Sequence, residues 1–143
     1  MIKREYPDNP MVGVGAFIEK NGSVLLVKRE HEPGKGKWSL PGGLVNLGEK
    51  IRDAIKREVE EEVGLKVDVV NIVDVFDSIE YDDKGRVRFH YVIIGFMVKA
   101  IGGEVRGSEE ASQVKWFNVE ELKNLEMTST TRKLLKEVNF LKD

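Results

Sequence analysis

Residues 43–65, GLVNLGEKIRDAIKREVEEEVGL, decide how the rest of the chain is read. Ile51, Ile55, Val59 and Val63 recur every four residues, Gly48 suits entry from a loop, and Gly64 suits the left-handed residue that ends a helix. The spacing predicts a helix over residues 49–63. At about 100° per residue the apolar side chains sweep one stripe, with Glu58 and Glu62 on its edge and Glu61 beside them. Glu60 alone points well away.

Three carboxylates on contiguous helix surface repel one another, and the i, i+4 pair of Glu58 and Glu62 opposes folding even in water. Partial burial beside the stripe and the negative end of the helix dipole add to that cost. A hard divalent cation would relieve it: Mg²⁺ takes carboxylate and carbonyl oxygens and keeps several waters. A bare acidic run is ordinarily a solvated face. Here the run sits inside a longer pattern, G-x5-E-x7-R-E-U-x-E-E-x-G-U with U bulky and apolar, met by Gly43, Glu49, Arg57, Glu58, Val59, Glu61, Glu62, Gly64 and Leu65. At every one of those positions the segment resembles the signature of the Nudix hydrolases.

The 143 residues are the length of one domain, and 41% hydrophobic content is enough for a core. A single Nudix domain over 1–143 is the expectation. Charged residues reach 34%, against an ordinary figure of about 25%. With no cysteine there is no disulfide framework, thiolate nucleophile or zinc–thiolate site. The first ten residues, MIKREYPDNP, lack the apolar core of a signal peptide, and no window approaches the roughly 18 apolar residues of a membrane span. A cytoplasmic location is therefore expected. A net charge of −2 gives no general attraction for a nucleic acid polymer, so an anionic substrate must be drawn by local cations.

Residues 1–10 read as a polar arm. Residues 11–20 and 23–28 are two antiparallel strands joined by Asn21-Gly22, a strong two-residue hairpin signal. The loop EHEPGKGK at 30–37 carries Lys35 and Lys37 just after Lys28 and Arg29, four cations able to meet a diphosphate. Residues 38–40 read as a short strand entering Pro41-Gly42-Gly43, with Trp38 more suited to the core than to base stacking. After the acidic helix, 66–75 alternates as a strand. Residues 79–81, the turn DDKG and residues 87–99 read as a hairpin, its second strand apolar enough to be central. His90 fits there as a packed strand residue. Residues 101–105 suggest a turn and a short strand, and 114–117 a last strand. Asn118 with Glu121 forms a capping-box pattern, and a final helix runs to about residue 140 with Leu134, Leu135 and Val138 inward.

Strands on both sides of an acidic helix, followed by a closing helix, suggest an α/β fold of the α/β/α sandwich type around a mixed sheet. The resemblance to the Nudix family implies the same. It further implies that Glu58, Glu61 and Glu62, helped by the backbone carbonyl of Gly42, hold Mg²⁺, with Mn²⁺ able to substitute. Glu49 and Arg57 then brace the loop against the helix, while Glu58 has a possible second role at the attacking water. The base that deprotonates this water is expected at Glu109 or Glu110, in the polar loop 106–113. Arg29, Lys35, Lys37 and Trp38 are the candidate substrate contacts.

The implied reaction is cleavage of a nucleoside diphosphate linked to another moiety. The flank HEPGKGKWSLPGG resembles ADP-ribose pyrophosphatase members, whose products are AMP and ribose 5-phosphate and which are often homodimers. Tyr81, where many ADP-ribose enzymes carry a proline, points instead to dinucleoside polyphosphate hydrolases. A (d)NTP pyrophosphohydrolase would keep the same box. A non-catalytic nucleotide-binding module would normally have lost one of the three glutamates.

Overall fold

The computed structural model describes residues 3–109, 111 and 113–142. Its elements, in chain order, are β1 (Met11–Lys20), β2 (Ser23–Lys28), β3 (Trp38–Ser39), β4 (Gly42–Leu44), α1 (Ile51–Val63), β5 (Leu65–Tyr81), β6 (Val87–Gly103), β7 (Val114–Asn118), α2 (Val119–Leu122) and α3 (Ser129–Glu137). The β1–β2 connection is the expected tight turn: Asn21 and Gly22 both take positive φ, +52° and +78°. That geometry matches the twist of the flanking strands.

β1 is the hub of a mixed sheet. It runs parallel to β6 from Met11–Tyr91 to Ile18–Val98, and antiparallel to β4 through Gly13–Leu44 and Gly15–Gly42. Its far end turns into β2, which pairs with β7 and β3. β6 lies between β1 and β5, as its continuous apolar sequence predicts.

Alternation along β1 and β6 divides the core in two. Val14, Ala16, Ile18, Phe96 and Val98 pack under α1 with Ile55, Val59 and Val63. Phe17, Met97 and Ile93 face the other way, toward Leu134, Leu135 and Leu122 of α3 and α2. The architecture is a sheet between helices, the α/β/α sandwich expected.

Several boundaries move. The strands at 66–75 and 79–81 are one strand, β5, which bends through register shifts between Lys66 and Val67, Val69 and Asn71, and Ile72 and Asp74. These bulges break the alternation that the sequence pattern relies on. Residues 101–103 continue β6 against Lys66 and Leu65, and residues 104–105 form no strand. β3 stops at Ser39, and α3 ends at Glu137, before Asn139 takes a φ of +60°. α1 begins at Ile51 because Glu49 is held outside it by Arg57 and by the Asn46 amide. β4 has no local signal in the sequence, since two glycines read as loop until they pair with β1. The capping box of α2 is present as expected, with the Asn118 side chain accepting from the Glu121 amide.

Candidate active site

The acidic helix is tied to the loop before it through Arg57. Its Nε and Nη2 donate to the two carboxylate oxygens of Glu49, at 2.8 and 2.9 Å, and Nη2 also donates to the Leu44 carbonyl at 2.9 Å. Nη1 donates to Glu58 and, at 3.2 Å, to Glu61. All the N–H donors of one guanidinium are thus engaged within a single loop–helix unit. The Arg57 bonds, followed by the Asn46 amide, hold the Glu49 carboxyl down to about 2. The same bonds raise the pKa of Arg57, Glu49 contributing first and Glu58 next.

β4 brings the other half of the site. Its Gly42 amide donates to Glu62 Oε1 at 2.9 Å. A Cβ at Gly42 would overlap the Val14 carbonyl, and one at Gly43 would overlap the Glu58 carboxylate, so only glycines let β4 lie this close to both β1 and α1.

Glu58, Glu61, Glu62, Ser108 and Glu109 line one hollow of about 270 Å³. The structure therefore assembles the three helix glutamates with Glu109 from a loop some fifty residues downstream. Glu110 lies outside the described residues. Glu60 is exposed, as its angle predicts, and does not line the hollow.

Among the described residues the hollow offers four carboxylates, one hydroxyl and no nitrogen or sulfur donor, a set suited to a hard divalent cation. Among the described residues no three acidic or imidazole side chains converge on a single ion position. Glu58 and Glu61 are drawn onto Arg57, and Glu62 onto the Gly42 amide. Glu61 keeps 62% of its side chain exposed and has room to turn inward. The donor set fits such an ion, and Glu58, Glu61 and Glu62 are the residues that would hold it.

A second cavity, of about 610 Å³, shares Glu58, Glu61 and Glu62 with the hollow and extends across the sheet on the α3 side. Its floor includes Gly13, Gly15, Tyr91 and Ile93, brought together by the parallel register of β1 and β6. Of the expected substrate contacts, Arg29 and Lys37 line it; Lys35 and Trp38 do not. Lys35 is exposed on its loop, and its amide donates to Glu32. Trp38 packs edge-on against Phe117, with ring centroids 4.8 Å apart, which is the core role its sequence context favours. His90 is half-buried in β6 and does not line the cavity. Arg4, His31, Tyr91 and Thr128–Thr131 also line it, and no local sequence pattern marks them as site residues. Alternation in β6 places Tyr91 and Ile93 on one face, but only the register with β1 sets Ile93 opposite Gly13.

A model of the NUDIX domain family matches residues 9–138. The chain is a Nudix hydrolase. It is similar to an ADP-ribose pyrophosphatase of Methanocaldococcus jannaschii, 37% identical over 117 residues, covering 82% of this chain and 67% of the relative. It is also similar to the nucleoside triphosphatase NudI of Escherichia coli, 29% identical over 84% of this chain and 90% of the relative. Among solved structures, the MutT NUDIX hydrolase of Burkholderia pseudomallei superposes with a TM-score of 0.81 at 34% identity, covering 92% of this chain and 99% of that one. Nudix hydrolases act on pyrophosphate bonds of nucleotide-type small molecules and generally need divalent metal ions. Among the described residues, no helix of this Nudix hydrolase is long and apolar enough to cross a membrane.

Proposed function

We propose that this Nudix hydrolase cleaves ADP-ribose to AMP and ribose 5-phosphate, with Mg²⁺ as its metal and Mn²⁺ able to substitute. The observation that carries this reading is the union of the two cavities. A hollow lined by four glutamates shares Glu58, Glu61 and Glu62 with a space of about 610 Å³ that has Arg29 and Lys37 on its wall. That volume is in the range of small-ligand sites, and its charges run from anionic to cationic as a metal–diphosphate complex requires. The similarity to an ADP-ribose pyrophosphatase supports the choice of substrate.

In this reading Glu58, Glu61 and Glu62, with the Gly42 carbonyl, would hold the cation, which when bound would supply charge neutralisation at the phosphate oxygens and a more acidic water. Arg57 and Glu49 keep the glutamates placed. Glu109 accepts the proton of the attacking water while the water oxygen bonds to phosphorus and the bridging oxygen departs with the other phosphate. Arg29 and Lys37 offset the charge of the diphosphate.

A second reading, hydrolysis of a nucleoside triphosphate to a monophosphate and pyrophosphate, is favoured by the similarity to NudI. Product analysis over a substrate panel with Mg²⁺ separates the two. AMP plus ribose 5-phosphate supports the first. Pyrophosphate release from triphosphates, with ADP-ribose left intact, supports the second.

A further inference from the structure

The wall of the large cavity opposite the sheet is the first turn of α3, a nine-residue helix capped by Thr128. The Thr128 hydroxyl accepts from the Thr131 amide at 3.3 Å, and its carbonyl accepts from the Arg132 amide at 3.1 Å. The amides of Ser129 and Thr130 are the first two of the helix and have no acceptor within it. Both residues line the cavity.

Thr130 is only 8% exposed, yet among the described residues its hydroxyl has no hydrogen-bond partner. Among the described residues no fully buried side-chain polar atom lacks a partner, so this hydroxyl opens on the cavity that Thr130 lines. Its neighbour Thr131 is fully used, bonding the Leu40 amide at 3.1 Å and the Thr128 hydroxyl at 2.7 Å. Beside this turn stands Arg29. A Cβ at Gly34 would lie 3.4 Å from both Arg29 Cδ and Thr128 Cγ2, which puts the arginine stem and the helix cap on either side of one glycine.

Arg29 donates through Nε to the Pro33 carbonyl and, among the described residues, forms no ion pair. Burial pushes its pKa down, outweighing the opposing attraction of Tyr91, Glu62 and Glu32. Of the carboxylates on the same cavity, Glu58 and Glu61 accept from Arg57, Glu62 accepts from the Gly42 amide, Glu32 accepts from the Lys35 amide, Glu80 lies 4.0 Å from Arg88, and Glu30 also lines the wall.

Two helix amides with no acceptor in the helix, a hydroxyl able to donate and a guanidinium without an ion pair among the described residues all suit the same partner, a group rich in acceptors and negatively charged. We propose that the first turn of α3, with Arg29 beside it, is an oxyanion seat separate from the glutamate hollow, and that it takes a phosphate group of the ligand. The proposal rests on the large cavity being the substrate pocket. The phosphate is either one carried by the substrate or free inorganic phosphate.

The seat is tested without substrate, by thermal melts of the full chain in EDTA with inorganic phosphate, each compared with chloride at equal ionic strength. The variants are Thr130→Val, which removes the hydroxyl at nearly constant volume, and Ser129→Pro, which removes one amide. Proline suits the first helical position, and Thr128 already has the extended backbone (φ −64°, ψ 153°) that a following proline requires. Wild type should gain roughly 3 °C from phosphate over chloride, and both variants should lose most of that gain.

Kinetics then separate the sources. A KM for ADP-ribose raised roughly three- to tenfold in Thr130→Val, with kcat within about twofold of native, places the substrate's own phosphate in the seat. An unchanged KM with the phosphate gain lost assigns it to free phosphate. The proposal is overturned if wild type gains nothing over chloride, or if both variants keep the wild-type gain. If wild type fails to cleave ADP-ribose, the substrate reading falls while the melts still decide the seat.

Discussion

Arg57 and Glu49, eight residues apart, meet in a two-pronged ion pair, Nε to Oε2 at 2.8 Å and Nη2 to Oε1 at 2.9 Å. The pair lies outside the glutamate hollow but fixes the arginine whose remaining donors reach Glu58 and Glu61. It is a positioning device: planar, bidentate and hard for a lysine to imitate.

The pair has a pH signature. Glu49 titrates at about 2 in the fold against an ordinary 4.5, mainly because of Arg57. A depressed folded pKa means that its contribution to stability is present above the ordinary value and is lost as pH falls through that window. Acid titration of wild type and Glu49→Gln, followed by urea unfolding at each pH, should show a stability gap that is full above about pH 4.5 and closes toward about pH 2. A gap independent of pH would contradict the ion pair.

The two glycines of β4 should fail differently. Gly42→Ala meets the backbone carbonyl of Val14, which cannot move without breaking the β1–β4 pairing, and should cost about 2–3 kcal/mol in unfolding free energy. Gly43→Ala meets the far end of the Glu58 side chain, which can swing aside. It should stay within about 1 kcal/mol of native stability while losing activity by roughly tenfold or more. Denaturant curves beside initial rates distinguish the two.

Relief of repulsion predicts metal-linked stability. Glu58, Glu61 and Glu62 share one hollow, so a divalent ion bound only by the folded chain should raise the Tm, by about 2.7 kcal/mol of stabilisation at a hundred times Kd. Equal ionic strength of monovalent salt should do less. Glu62→Gln should blunt the metal-dependent rise and lower kcat roughly 10²-fold with the fold intact. Melts that coincide in EDTA and in millimolar Mg²⁺ would count against the site.

Glu109 lines the hollow with the helix glutamates. If it takes the proton from water, Glu109→Gln should lower kcat by roughly 10²- to 10⁴-fold while KM stays near native, because the loss appears in the transition state. Near-native kcat would move the base to another acid of the hollow.

The sequence by itself determined the acidic helix, its glycine stop, the β1–β2 turn, the capping box and the family. Each of these rests on interactions between residues close along the chain: the four-residue recurrence of Ile55, Val59 and Val63, the φ > 0 of Asn21, Gly22 and Gly64, and the reciprocal bonds of Asn118 and Glu121. Tertiary structure alone decided the rest. Glu109 reaches Glu58 across some fifty residues only through the fold of the sheet, and Lys35 and Lys37, alike on paper, are parted by which way one loop turns. The bulges that make β5 one strand, the β4–β1 pairing and the meeting of Gly13 with Ile93 are matters of register. Register is set by the packing of one face against another, and local propensity does not encode it.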